Sequence, residues 1–181
     1  MIVMKNPLFD RSHIKEYLLF GSIAAIAFTA FVVIFLIDNK YENMFLLFVG
    51  SMAFSLVIAI HGYMQINRRH EGKSAVRMML STHLTLIVGV VLATILSVLS
   101  TYIFFGNLAD TKPNDAIIEN AHTTTEVSRP SGLVMLILIY AAIVNFAVGS
   151  FLSVLVAYVG KRNQIKDKPA ELDNEIHLVK K

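Results

Sequence analysis

The sequence predicts an all-α polytopic integral membrane protein built as a four-helix transmembrane bundle, and three observations predict it. The 181 residues are 55% hydrophobic and 16% charged, with a mean hydropathy of +0.62, a composition far from that of soluble globular domains. Asp, Glu, Lys and Arg are absent from four stretches, 17–37, 43–67, 78–109 and 130–160, and each reaches the roughly 20 residues a helix needs to cross a bilayer. These stretches lack the strict alternation of barrel strands, so their backbone groups must be satisfied within each segment, as a helix does.

Taken in order, residues 1–16 form an N-terminal segment carrying Lys5, Arg11 and Lys15. The first span, 17–37, follows these charges and is too long for a signal-peptide core, so it is expected to remain as a signal anchor. The second and third spans are placed at 44–66 and 78–105, and the fourth at 132–160; together they make a membrane domain over 17–160. The outer loop 106–131 is punctuated by Gly106, Pro113 and Pro130, and its "NDAIIENA" reads as a short helix capped by Asn114 within a polar connector. A basic tail, 161–181, ends the chain; there Leu172, Ile176 and Val179 share one face of an interfacial helix or a frayed end. No internal repeat is visible between the two helical hairpins.

Orientation follows from Lys and Arg in the short flanks. Three lie in the N-terminal segment, four in the 2–3 loop (Arg68, Arg69, Lys73, Arg77) and six in the tail, whereas Lys40, Lys112 and Arg129 lie on the other side. Thirteen against three places both termini in the cytoplasm of a bacterial inner membrane. Arg68, Arg69, Lys73, Arg77, Lys161 and Arg162 border the spans and are read as lipid-headgroup contacts rather than as a nucleic-acid surface. There is no cysteine, which removes disulfide, thiolate-metal and thiol redox chemistry.

Small residues recur every fourth position on the long spans. The third carries Ser81, Thr85, Gly89, Ala93, Ser97 and Thr101, and the fourth carries Ala141, Asn145, Gly149, Ser153 and Ala157. Shorter series run through the first span (Gly21, Ala25, Thr29) and the second (Ser51, Ser55, Ala59). Lipid is as apolar as leucine, so transmembrane helices associate where small residues let their backbones approach, and these ladders mark helix-packing faces. The two longest ladders make the third and fourth spans the expected pair, with a second copy of the chain as another possible occupant of such a face.

No Asp, Glu, Lys or Arg lies inside the spans, which disfavours ion-coupled transport. The candidates for chemistry are His61, His83 and Asn145, followed by Gln65, Thr94 and Tyr140. His61 and His83 sit at matching depth on either side of the 2–3 loop, where two imidazoles are speculative ligands for haem or a metal, or contacts for a quinone, against the plainer reading as interfacial histidines. No resident metal or cofactor is assigned. Asn145 is mid-span, where an amide most simply forms an interhelical hydrogen bond.

No hydrolase, zincin or phosphate-loop motif occurs, and the expectation is that the protein is not an enzyme. In helix number and loop length alone it resembles small four-pass bacterial membrane proteins, and no residue role follows from that. The expected function is an accessory or assembly subunit of a membrane complex, or a homo-oligomer, in the lipid bilayer. A small oligomeric channel or carrier lined by Asn145, Thr94 and Ser97 is the alternative, and a haem- or quinone-binding subunit the third reading.

Overall fold

The computed structural model describes residues 11–38, 41–67, 75–106 and 130–166. Among these the chain is all helical. Helix α1 covers Arg11–Asp38, a 3-10 turn at Tyr41–Met44 leads into α2 at Phe45–Asn67, and α3 covers Ala75–Phe105. The fourth helix, α4 (130–166), runs as an α-helix over Pro130–Leu138, widens to a π-helix over Ile139–Val144, and resumes as an α-helix over Asn145–Lys166. All four helices are long and apolar enough to cross a membrane. Most of the outer loop, the 2–3 connection with Arg68, Arg69 and Lys73, and the predicted tail helix lie outside the described residues.

Two helix ends differ from the expected spans for local reasons. Helix α1 is already formed at Arg11, ahead of the span expected from residue 17, because lipid sets the length of the apolar stretch and not the end of the hydrogen-bond ladder, which continues into water-exposed turns. Helix α3 stops at Gly106, whose φ of 67° is the left-handed conformation glycine takes most easily. Its N–H reaches Tyr102 O at 2.8 Å, closing the last turn.

The helices occupy the corners of a square in the order α1, α2, α4, α3. Helix α1 packs on α2 and α3, α4 packs on the same two, and α2 and α3 meet more sparingly across the diagonal. The fully buried centre is built from Phe28 and Phe35 of α1, Phe54 and Ile58 of α2, Leu86 of α3 and Ile137 of α4. Only 28% to 44% of each span's apolar window is buried inside this bundle. The remaining Ile, Leu, Phe, Val and Met side chains form an outward girdle on every helix, which is the surface a bilayer requires.

All eleven rungs of the two long ladders are buried. The hydroxyl rungs manage this partly by donating back to carbonyls one turn earlier: Thr85 to Ser81 O at 3.2 Å, Thr101 to Ser97 O at 2.7 Å and Ser153 to Gly149 O at 2.9 Å. Such bonds let polar side chains line an apolar interface. The expected pairing of α3 with α4 is one of the two most extensive contacts in the bundle, about as large as that of α3 with α1, but Gly149 of α4 does not meet a rung of the α3 ladder. A Cβ at Gly21 of α1 would lie 3.0 Å from the Gly89 backbone N, and a Cβ at Gly149 of α4 would meet the Leu86 side chain at 2.3 Å. Glycine thus faces glycine between α1 and α3, whereas α4 receives a leucine that is no rung of the α3 ladder. Four-residue spacing names a face suited to close approach; it does not name the helix that comes close.

The π-helical turn explains Asn145. In an unbroken α-helix its N–H would bond Ala141 O, but here that N–H turns to Tyr140 O and Ala142 O. The Asn145 side chain supplies a donor to Ala141 O instead, through Nδ2 at 3.3 Å, so its amide bonds within its own helix and not across to a neighbour as its mid-span position suggests. Its Oδ1 is buried without a hydrogen-bond partner. Replacing Asn145 with leucine removes this bond to the Ala141 carbonyl and is expected to lower stability by about 1 kcal/mol, with the helix content preserved. Denaturant titration in mixed micelles reads the first and circular dichroism the second.

Candidate functional site

The largest connected polar group among the described residues lies near the end of the bundle where α1 begins and α4 ends, and four helices build it. From α2, His61 and Gln65 stand one turn apart on the same face, and they are 1% and 2% exposed. From α3, Thr85 points across the diagonal. Helix α1 brings Glu16, Tyr17 and Phe20, with His13 one turn before Glu16. Helix α4 closes the fourth side with Val156, which sits where a Cβ on Gly62 would be, at 2.5 Å.

Hydrogen-bond directions follow from the two ends of the chain, a carbonyl and a carboxylate, neither of which donates. Ser81 O accepts from the Thr85 hydroxyl, so the Thr85 oxygen accepts from His61 Nδ1–H across 3.1 Å. Neutral imidazole with a proton on Nδ1 has a lone pair on Nε2, and that nitrogen takes a hydrogen bond from Gln65 Nε2–H at 3.1 Å. The second hydrogen of the same amide nitrogen points at Glu16 Oε2 at 3.4 Å. Glu16 Oε2 also lies 3.7 Å from His13 Nδ1, with side-chain exposures of 25% for Glu16 and 13% for His13. The result is one directed chain, Glu16 to Gln65 to His61 to Thr85 to the Ser81 carbonyl, running from a partly exposed carboxylate to the centre of the bundle.

Aromatic rings hold the imidazole in place. Phe20 lies 5.0 Å from it, ring centre to ring centre, tilted by 42°, and Tyr17 meets it edge-on at 6.1 Å and 89°. Tyr17 is itself stacked on His13 at 6.4 Å. Toward the middle of the bundle Ile58, Phe54, Leu86 and Phe28 are fully buried, so the polar chain ends against a hydrocarbon wall.

The two candidate histidines do not converge. His83 precedes Thr85 by two residues, which on a helix turns it about 200° away from the face that meets His61. It is half-buried, and its Nδ1 lies 3.1 Å from Met79 O of its own helix. With both His61 nitrogens bonded to Thr85 and Gln65, the geometry offers no paired imidazoles for an iron. Among the described residues no three His, Asp or Glu side chains gather as a metal cluster.

Of the other candidates, Thr94 is half-buried and donates to Val90 O at 2.8 Å, and Ser97 is fully buried with its hydroxyl unpartnered. Tyr140 is half-buried in the π-helical turn. Of the expected lipid-headgroup residues, Arg77 and Arg162 are exposed.

Glu16 and His13 are the functional candidates that reading the charge-free stretches passes over. Their signal is present all the same: stepping back by fours from Ala25 and Gly21 gives Tyr17 and His13, and from Phe28, Ala24 and Phe20 gives Glu16, so the inward stripe of α1 begins before the apolar run does. The chain matches no protein-family model, no curated protein and no solved structure. Fold and site together define a four-helix membrane protein whose principal buried polar feature is a histidine linked to a carboxylate through an amide.

Proposed function

We propose that this protein is a non-enzymatic, multi-pass component of a bacterial inner membrane with both termini cytoplasmic, acting as an accessory or assembly subunit of a membrane complex or as a homo-oligomer. The observation that carries this reading is the division of the surface. Every rung of the two long ladders is buried, the interior is closed by phenyl rings, and what the protein offers outward is an apolar girdle. On α4 that girdle is continuous after Asn145, where Phe146, Val148, Phe151, Val154, Leu155 and Tyr158 are all exposed. A partner within the membrane meets this girdle rather than the ladders, and Arg77 and Arg162 supply the lipid-headgroup contacts at the cytoplasmic end.

The cysteine-free chain allows a clean test. Single cysteines at Phe151 of α4 and at Ala93 inside the bundle are introduced, and native membranes are treated with a lipid-soluble cross-linker. A discrete larger adduct is expected from Phe151→Cys and none from Ala93→Cys. A solely monomeric species, with no co-purifying chain in native-lipid discs, would sink the proposal.

The channel or carrier reading draws its support from the buried and unpartnered Asn145 Oδ1 and Ser97 hydroxyl. Flux through reconstituted liposomes that is abolished by Asn145→Leu would favour it over the assembly role.

A further inference from the structure

We infer that His61 is a proton-binding switch opening toward the α1-start end of the bundle, with Glu16 as its port and Gln65 as the group that must change partners. The argument starts from hydrogen-bond polarity. The Gln65 amide nitrogen donates to both His61 Nε2 and Glu16 Oε2, and this holds only while Nε2 keeps its lone pair. A proton from solution added to that lone pair turns Nε2 into a donor facing another donor. In a buried site such a pair cannot persist, because each N–H left without an acceptor carries a desolvation penalty.

The Nδ1 side has no freedom to respond, since Thr85 is held by Ser81 O. All the rearrangement therefore falls on Gln65 and Glu16. The nearest acceptor is the other end of the same amide: a half-turn of the Gln65 side chain presents its Oε1 to the new Nε2–H. That turn changes the partners of the Gln65 N–H, and the Glu16 carboxylate on the far side of the amide supplies the opposite charge for the imidazolium. No bond other than N–H forms, and the positive charge gained is matched by the Glu16 carboxylate.

The surroundings make His61 the group that titrates in this way. From α1 it faces Glu16, Tyr17 and, behind Tyr17, His13. From α3 it faces uncharged Thr85, with Arg77 exposed at the helix start and His83 turned to its own helix. From α4 it faces Val156 across Gly62, and the titratable Tyr158 and Arg162 of that helix are exposed. On its own helix Tyr63 is exposed as well. The wall of Ile58, Phe54, Leu86 and Phe28 blocks the opposite direction, so the proton enters and leaves on one side. The site responds to pH at one face of the membrane and does not conduct through it.

The test uses the full chain in lipid nanodiscs with nitrogen-15 label in histidine rings and glutamine side chains, His61 being assigned by the signal lost in His61→Gln. At about pH 8 the His61 ring is expected as the Nδ1–H tautomer, and by about pH 5, the range in which histidine ordinarily changes charge, as the doubly protonated ring. The Gln65 side-chain amide signal is expected to move in the same step. In Glu16→Gln, a near-isosteric change at a partly exposed position, the doubly protonated ring is lost from that range. A neutral ring in the Nε2–H tautomer, a ring unchanged between the two pH values, a stationary Gln65 signal or an unaltered titration in Glu16→Gln would each overturn the inference. The wild-type spectra decide three of these outcomes without any variant.

Discussion

Gly21→Leu is expected to destabilise the bundle by about 3 kcal/mol, at the upper end of the range for overpacked cores. A Cβ at this position would lie 2.7 Å from Val88 Cγ1, 3.0 Å from Val88 Cβ and 3.0 Å from the Gly89 backbone N. Neither a β-branched side chain nor a neighbouring backbone can swing aside as the tip of a long side chain can, so the two helices must separate along their seam. Because the α1–α3 seam is one of the two most extensive helix–helix contacts in the bundle, that separation is felt through the whole fold. The same substitution at Met52, on the exposed face of α2, should stay within about 0.5 kcal/mol. Unfolding in mixed detergent micelles measures both. If Gly21→Leu left the unfolding midpoint in place while abolishing association between chains, the inward assignment of the close approach would be wrong.

His61→Leu is expected to cost about 2 kcal/mol, whereas His83→Leu should cost less than about 0.5 kcal/mol. Leucine at position 61 removes the acceptor for a Gln65 N–H that is almost fully buried and the donor to Thr85, two partners on two helices. Transmembrane hydrogen bonds average well below their aqueous-core counterparts, near 0.6 kcal/mol in measured cycles, so the estimate takes the two lost bonds together with the stranded amide. His83 bonds only a carbonyl of its own helix and is half open to the surroundings, so its loss strands nothing between helices. The paired measurement separates an interior keystone from an interfacial histidine at similar depth, and equal losses for the two variants would contradict the geometry.

Much of the architecture is legible from residue type and spacing. Charge-free stretches name the four helices because lipid tolerates nothing else, and the spacing of Ser81 to Thr101 or Ala141 to Ala157 names a face for close approach. What spacing lacks is the identity of the neighbour: the glycine opposite Gly89 comes from α1, and Leu86 rather than a ladder rung fills the hollow at Gly149. The polar chain was hidden for a related reason. Glu16 belongs to the charged flank by sequence, yet a helix that starts at Arg11 carries it onto the stripe shared with Tyr17 and Phe20. The π-helical turn before Asn145 has no signal in "LIYAAIVN", which contains neither Gly nor Pro; the turn packs against α2 and α3, contacts that spacing alone does not name.

The square order α1, α2, α4, α3 also bears on symmetry. A two-fold axis along the membrane normal that exchanged the hairpins would have to put α1 opposite α3 and α2 opposite α4, but those pairs are neighbours and the opposite corners hold helices of contrary direction. The second hairpin is displaced beside the first rather than rotated onto it. Each chain is therefore a polar, unsymmetrical building block with two different flanks, and any rotational symmetry in an assembly has to come from the placement of whole copies.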